Sequence, residues 1–209
     1  MHLKRANTNK KYPIARKGTA YIVRADSKHE KALPLLIILR DLLKLGQTRA
    51  EVKKILDKGE VEVNGKIRKE EKFGVQLFDI INIKSCGKKY TLVLSESKKF
   101  KIAETKSENK ISKIIDKKIL PEGKIQINCN GGENFIVKDK INIGDSAVID
   151  FKAKKIIKTI SLKEGSKAAV IGGKYIGEEC KVIKIEEEIS EVEIKGSKVN
   201  ISNKNLMAI

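Results

Sequence analysis

The chain beyond residue 59 consists of short runs of isoleucine and valine separated by turn residues, and this pattern constrains the fold most. Between Phe100 and Leu162 the runs are interrupted at Pro121-Glu122-Gly123, at Asn130-Gly131-Gly132 and at Gly144-Asp145. Short β-branched runs with frequent turn signals are typical of a small barrel or sandwich. Strands do not alternate with helices here, so no phosphate-binding loop between a strand and a helix is expected.

Two helices are predicted ahead of these strands. Pro34 suits the first position of a helix, and Leu35 to Leu45 is apolar on nearly every face. This composition predicts a first helix that is largely buried. Gly46 is expected to end it. The cover expected for this helix is either Tyr21–Val23 or the strand Leu77–Ile83.

The second predicted helix carries a row of cations. Thr48 and Glu51 have the spacing of a capping box, which places the start of the helix at Thr48. Gly59 fits the left-handed position that stops a helix. One helical face collects the apolar side chains of Val52, Ile55 and Leu56. The opposite face carries two pairs spaced four residues apart, Arg49 with Lys53 and Lys54 with Lys58.

A hairpin follows the second helix. Asn64-Gly65 is the strongest short hairpin signal, and residues 60–63 alternate in the manner of a strand. A strict two-residue loop would pair Val63 with Lys66. A shift of one residue pairs Val63 with Ile67 and collects Val61, Val63 and Ile67 on one face. Since a one-residue slip reverses every side chain, the shifted register with a longer or bulged turn is preferred.

The charge of the chain indicates a polyanionic partner. The formal net charge is +18 over 209 residues, from 39 lysines and six arginines against 27 acidic residues. Lysine suits phosphate contacts, whereas arginine favours bidentate reading of bases, so backbone binding is favoured over sequence reading. The net charge is +7 over residues 1–31, +2 over 32–83, +10 over 84–163 and −1 over 164–209. The first segment, poor in apolar residues, is predicted to be an arm that orders only on binding.

The residues that catalysis or metal binding would need are scarce. The two histidines are His2 and His29, and the three cysteines are at least 43 residues apart. Neither a catalytic set, nor a metal site, nor a disulfide framework is indicated, and no cofactor is expected. The apolar run Leu35–Leu39 is too short to span a membrane, and the start of the chain has no signal-peptide core. The chain is expected to be cytoplasmic.

Several motifs resemble a known RNA-binding protein family. The second helix and hairpin resemble the S4 RNA-binding module, on the segments Leu45-Gly46, Thr48-Arg49-Ala50-Glu51, Gly59 and residues 61–66. Together with residues 2–5, 33–40 and 77–83, they resemble the archaeal and eukaryotic small-subunit ribosomal protein family eS4. Residues 170–177, Val-Ile-Gly-Gly-Lys-Tyr-Ile-Gly, resemble the KOW motif of that family.

The resemblance implies an α+β, multi-module fold. Its parts are a basic N-terminal arm at 1–32, a two-helix-plus-hairpin RNA-binding module at 33–97, a central small β domain at 98–163 and a C-terminal KOW-type, SH3-like β-barrel at 164–209. The implied function is that of a structural component of the small ribosomal subunit, located in the cytoplasmic ribosome, that supports subunit assembly and translation. Its implied partners are small-subunit ribosomal RNA and neighbouring ribosomal proteins, without a membrane or a small-molecule substrate.

The candidate RNA-binding residues are mostly cations of the arm and of the module, together with polar residues of the helix cap and the hairpin turn. They are His2, Lys4, Arg5, Lys10, Lys11, Arg16, Lys17, Arg24, Lys44, Thr48, Arg49, Lys53, Lys54, Lys58, Asn64, Gly65, Lys66 and Arg68. The KOW loop adds Gly172, Gly173 and Lys174.

Three alternative functions use some of the same features. An RNA-modifying enzyme such as a pseudouridine synthase would need a separate catalytic domain, and the small β units after the module leave little room for one. A DNA-binding helix-turn-helix would need base-reading residues on the second helix, which carries mainly lysines. A stand-alone RNA-binding or transcription factor with a KOW domain would explain residues 164–209 but not the basic arm.

Overall fold

The structure, a computed structural model, describes residues 2–26, 31–95, 97–137 and 141–209, so His29 lies outside the described residues. The chain is mostly β with few helices and divides into two compact units, residues 1–108 and 109–209. In the parts of the chain that the structure describes, no helix has the length and apolar character of a membrane span.

Over residues 2–26, 31–95 and 97–108, the first unit contains nine strands in three antiparallel sheets. The strands are β1 Leu3–Lys4, β2 Tyr21–Ile22, β3 Ala32–Pro34, β4 Val61–Val63, β5 Lys66–Ile67, β6 Gly74–Gln76, β7 Ile80–Ile83, β8 Lys88–Leu94 and β9 Phe100–Glu104. β1 pairs with β2, β3 pairs with β6, and the largest sheet has the order β5-β4-β7-β8-β9. Because β9 pairs with β8, a boundary at residue 97 would divide two hydrogen-bonded neighbours.

The first predicted helix is present but irregular. It begins as α1, Leu35–Ile37, directly after Pro34, and continues as a π-helix over Ile38–Leu42. The expected stop at Gly46 is wrong, because the backbone turns at Lys44, where φ is +54°. Gly46 serves close packing instead: a Cβ there would lie 3.2 Å from side-chain atoms of Glu51 and Val52.

The prediction that the first helix is covered on several sides is confirmed. Every residue from Leu35 to Leu39 is at most 1% exposed. The cluster around them includes Ile22 and Val23 from the N-terminal segment and Leu77 from the loop before β7. The first helix therefore lies at the centre of the first unit's core.

The capping box confirms the start of the second helix, α2, Arg49–Asp57. The Thr48 hydroxyl accepts a hydrogen bond from the Glu51 amide at 3.3 Å. The Glu51 carboxylate reaches one residue beyond the cap and accepts from the Gln47 amide at 2.8 Å. Val52 and Leu56 are buried, and Gly59 takes the predicted left-handed conformation with φ +72°.

The preferred hairpin register is wrong. Val63 pairs with Lys66 and Glu62 with Ile67, which is the strict two-residue loop. Asn64 and Gly65 both have positive φ, +52° and +70°, as a type I′ turn requires. Ile67 therefore points away from the core that buries Val61 and Val63, and it is 50% exposed. Turn geometry outweighed the gain from burying one isoleucine.

The N-terminal arm does not match the prediction of a chain without structure of its own. Tyr12 is 3% exposed, and its hydroxyl donates to the Ala32 carbonyl at 3.1 Å. The Phe100 amide donates to the Lys11 carbonyl at 2.8 Å. The prediction failed because the few apolar residues of the arm, Tyr12 above all, enter the core around α1.

The described part of the second unit, residues 109–137 and 141–209, contains two five-stranded antiparallel sheets. The first has the order β12-β11-β10-β13-β14, with β10 Asn109–Ile119, β11 Ile125–Cys129, β12 Asn134–Val137, β13 Ser146–Asp150 and β14 Lys155–Ile160. The second has the order β18-β17-β16-β15-β19, with β15 Lys167–Val170, β16 Glu179–Ile185, β17 Ile189–Ile194, β18 Ser197–Ser202 and β19 Leu206–Ala208.

A buried lysine joins the two sheets of the second unit. Lys113 on β10 is 6% exposed, and its ammonium donates to the carbonyls of Asn203 and Leu206, the latter at 2.6 Å. Burial lowers the pKa of Lys113 to about 8.

Burial also raises the pKa of the Cys129 and Cys180 thiols to about 11. Of the three cysteines, Cys86 is the exposed one.

Replacing Leu39 with alanine tests the role of the first helix. Because Leu39 is fully buried, Leu39→Ala should lower the free energy of unfolding by about 2–5 kcal/mol, measured by urea denaturation. The matched control is Ile67→Ala, at a half-exposed position, which should cost under about 1 kcal/mol. Similar losses in the two variants would contradict a core centred on this helix.

Candidate nucleic-acid interface

The exposed face of α2 and the segment after the hairpin form one surface. At the end of the helix, Gly59 lies against the side chain of Ile67. At the start of the helix, Arg49 is hydrogen-bonded to Glu71. Residues 67–71 therefore run alongside α2 in the opposite direction. We call six of the exposed cations of this region, which also includes Lys69, the helix surface: Arg49, Lys53, Lys54, Lys58, Lys66 and Lys72.

The carboxylate of Glu71 is paired with the first cation of the helix surface. The Arg49 guanidinium donates to Glu71 through Nε, at 2.8 Å to Oε2, and through Nη2 to Oε1. The Arg49 side chain is 63% exposed, whereas the Glu71 side chain is 12% exposed. The hydrogen bonds from Arg49 lower the pKa of Glu71, with burial opposing them and the charges of Arg49, Lys72 and Lys53 adding to them. Glu71 thus stays ionised and neutralises part of the surrounding positive charge.

The hairpin turn is held rigidly by its asparagine. The Asn64 amide group donates to Asp79 Oδ1 at 2.9 Å and accepts from the Ile80 amide at 3.0 Å. The other Asp79 oxygen accepts from the Gln76 amide at 2.7 Å. These bonds occupy the side chain of Asn64 within the fold. Gly65 and Lys66 remain exposed at the tip of the hairpin.

Three further predicted residues of the module lie in different settings. The Arg68 guanidinium lies over the ring of Phe73, 4.2 Å from its centroid, and the side chain is half-buried. The Thr48 hydroxyl serves as the cap of α2. Lys44 is exposed just beyond the π-helix.

Arg5 stabilises the arm itself. Its Nε donates to the Thr19 carbonyl at 2.7 Å, its Nη2 to the Thr19 hydroxyl at 3.0 Å, and its Nη1 to the Ala15 carbonyl. Gly18 permits this arrangement, because a Cβ at that position would lie 2.8 Å from Arg5 Nη2. Arg5 therefore closes the loop that leads to β2.

The remaining predicted cations of the arm fall into two groups. The side chains of His2, Lys4, Lys10, Arg16 and Lys17 are exposed, whereas Lys11 and Arg24 are half-buried. Burial lowers the pKa of Lys11, and the charge of Lys31 lowers it further. Lys31 and Lys72 are further exposed cations that were not among the sequence-based candidates, although both flank segments already rich in cations.

The predicted KOW loop is built on close packing. A Cβ at Gly172 would lie 2.3 Å from the side-chain oxygen of Asn205, and Gly173 has φ +84°. Lys174 is exposed, with its ammonium 5.5 Å from the centroid of the Tyr175 ring. The thiol of Cys180 donates to the Ala168 carbonyl at 3.3 Å. This loop and the helix surface lie in different units.

Comparisons with known proteins match most of the chain to one family. The model of the S4 domain matches residues 34–81, and the model of Ribosomal family S4e matches residues 86–156. The chain is 35% identical to small ribosomal subunit protein eS4 of Methanocella arvoryzae over 188 residues, covering 88% of this chain and 80% of the relative. The eS4 protein of Archaeoglobus fulgidus is 32% identical, with 85% and 77% covered.

A solved structure resembles most of this chain. The crystal structure of 30S ribosomal protein S4e from Thermoplasma acidophilum superposes with a TM-score of 0.73 at 28% sequence identity. The match covers 86% of this chain and 95% of that one.

Replacing Glu71 with glutamine tests the helix surface by increasing its net positive charge. Glu71→Gln should strengthen binding to structured RNA several-fold, because Arg49 is then available to a phosphate. The log–log dependence of affinity on salt should steepen by about one unit. Filter binding over a salt series measures both quantities.

The matched control is Glu104→Gln, which removes an ion pair with Lys88 from β9, the edge of the large sheet opposite β5. This variant should leave the salt slope unchanged. Weaker RNA binding by Glu71→Gln would show that the Arg49–Glu71 pair is needed to shape the surface.

Proposed function

The chain belongs to the S4e family of small-subunit ribosomal proteins, and from this premise we propose that it is a structural component of the small ribosomal subunit. It binds small-subunit ribosomal RNA in the cytoplasmic ribosome and supports subunit assembly and translation. Its other partners are neighbouring ribosomal proteins. The family supports a structural role, and the proposal includes no catalytic step.

The helix surface is the observation that carries the RNA-binding proposal. Six exposed cations lie on α2 and on the hairpin and chain beside it, with Glu71 paired to Arg49 and with Glu51 and Asp57 also exposed on α2. Five of the six are lysines, which suit phosphates rather than base edges. A rigid hairpin tip beside the helix supports recognition of RNA by the shape of its backbone.

The predicted site residues take two roles in this proposal. Most contact phosphates directly, namely His2, Lys4, Lys10, Lys11, Arg16, Lys17, Arg24, Lys44, Lys53, Lys54, Lys58, Gly65 and Lys66. Arg5, Thr48, Asn64 and Arg68 hold the binding surface in shape, because their side chains are engaged within the protein. Arg49 takes both roles, since it pairs with Glu71 and remains largely exposed.

We also propose the four-module order of arm, RNA-binding module, central β domain and KOW-type barrel. Pairing of β9 with β8 favours a second boundary near residue 108. The five-stranded sheet of residues 167–208 and the Gly172-Gly173-Lys174 loop support a KOW-type module. Its net charge of −1 over residues 164–209 favours a neighbouring protein or solvent over RNA.

A salt titration of RNA affinity tests the proposed function. Replacing both Lys53 and Lys54 with glutamine removes two exposed charges from α2 and spares the buried Val52 and Leu56. The salt slope for small-subunit ribosomal RNA should flatten by about one unit for each lost phosphate contact. Folding should be preserved, because exposed polar substitutions shift stability by about 0.5 kcal/mol or less.

The control removes the same charge from the second unit. Lys181 and Lys198, both exposed, are replaced with glutamine, and the slope should change little. An unrelated structured RNA should lose affinity in parallel with the ribosomal RNA, because phosphate contacts do not read sequence. An unchanged slope in the Lys53/Lys54 variant, or a larger change in the control, would contradict the proposal.

A further inference from the structure

A groove in the first unit joins the arm to the start of α2. It has a volume of about 570 Å³, within the range of roughly 300–1,000 Å³ that is usual for small-ligand clefts. Its lining includes His2, Tyr21 and Arg24 from the arm, with Arg49 and Lys72 from the helix surface. The groove therefore extends the helix surface toward the N-terminus.

Two exposed aromatic rings lie at this groove. The rings of His2 and Tyr21 are 5.1 Å apart between centroids and nearly perpendicular, at 86°. In this edge-to-face arrangement, each ring keeps at least one face that the pair does not use. Tyr21 is 57% exposed, which is unusual for so large a ring in a chain with only nine aromatic residues. An exposed ring face is a stacking platform for a nucleobase.

The tyrosine is held in place by several hydrogen bonds. Its backbone pairs with Lys4 across β1 and β2. Its carbonyl accepts a hydrogen bond from the Thr19 hydroxyl at 3.1 Å, and Thr19 in turn accepts from the guanidinium of Arg5. At the other side of the groove, the Asp26 amide donates to the Lys72 carbonyl at 3.0 Å, which ties the arm to the chain beside α2. A backbone hydrogen bond thus connects the arm, which carries Tyr21 and Arg24, to the segment that carries Lys72.

The charges of the lining favour an anion beside the rings. Arg24, Arg49 and Lys72 supply three cations against the carboxylate of Asp26. Glu71 engages Nε and Nη2 of Arg49, which leaves Nη1 for another acceptor. A phosphate is the anion that matches a nearby stacking platform, because a nucleotide carries both groups.

We propose that this groove binds a single unpaired nucleotide of a structured RNA. The base stacks on the exposed face of Tyr21 with the His2 ring perpendicular beside it, and the adjoining phosphates contact Arg24, Lys72 and the free nitrogen of Arg49. Arg5 acts as a positioning residue for Tyr21. The proposal rests on the proposed RNA-binding function and adds a preference for bulged or looped RNA over a continuous duplex, since only an unstacked base can enter the groove.

The test uses two RNA hairpins that differ by one bulged nucleotide, the bulged residue being 2-aminopurine. The wild-type protein should bind the bulged hairpin about tenfold more tightly, and 2-aminopurine fluorescence should be quenched on binding, because stacking on an aromatic ring quenches it. Tyr21→Leu should abolish both the preference and the quenching, whereas Tyr21→Phe should retain them. Thermal unfolding checks that each variant folds.

The outcomes separate this proposal from the proposed function. If the wild-type protein binds both hairpins equally and tightly, the RNA-binding function stands and the groove proposal is overturned. If wild-type binding leaves the fluorescence unchanged, the groove proposal is overturned even where Tyr21→Leu fails to fold. If neither hairpin binds, both proposals fail together.

Discussion

Burial of the first helix is the interaction on which the rest of the first unit depends. Leu35–Leu39 expose at most 1% of their surface, so the helix has to be covered from several directions. The covers are the elements that carry the candidate site. The arm contributes Tyr12 and Ile22, α2 contributes Val52 and Leu56, and the large sheet contributes Val61 and Ile81. A common core thus holds the arm, α2 and the hairpin together in the first unit, and many of their lysines remain exposed.

Local signals predicted the elements of the module, and tertiary contacts decided their details. The Thr48 cap and the Gly59 stop were correct because each depends on a few neighbouring atoms. The hairpin register was wrong because burial of Ile67 was weighed above turn geometry, while Asn64 is also tied to Asp79, fifteen residues away. Gly46 was predicted to end the first helix, but a glycine is needed there because α2 packs closely against it. The backbone turns earlier, at Lys44.

The candidate site shows the same division between local and distant contacts. Charge and helical spacing identified Lys53, Lys54 and Lys58, which are exposed as expected. The partners of Arg5 and Arg49 could not be predicted, because Thr19 and Glu71 come near them only after the chain folds. The role of Tyr21 depends on its pairing with the chain around His2, which no local pattern indicates. Charge alone therefore finds the exposed candidate cations and misses the residues that hold them in position.

The most direct test of the central claim is lysine acetylation of the wild-type chain, free and bound to small-subunit ribosomal RNA, with mass spectrometry of each site. In the proposed complex, contact with phosphates shields the ammonium groups of the helix surface from the acetylating reagent. The account predicts protection of Lys53, Lys54, Lys58, Lys66 and Lys72 on binding. It also predicts that Lys167, Lys181 and Lys198 in the second unit stay reactive. Protection confined to these three lysines, with the helix surface still reactive, would contradict it.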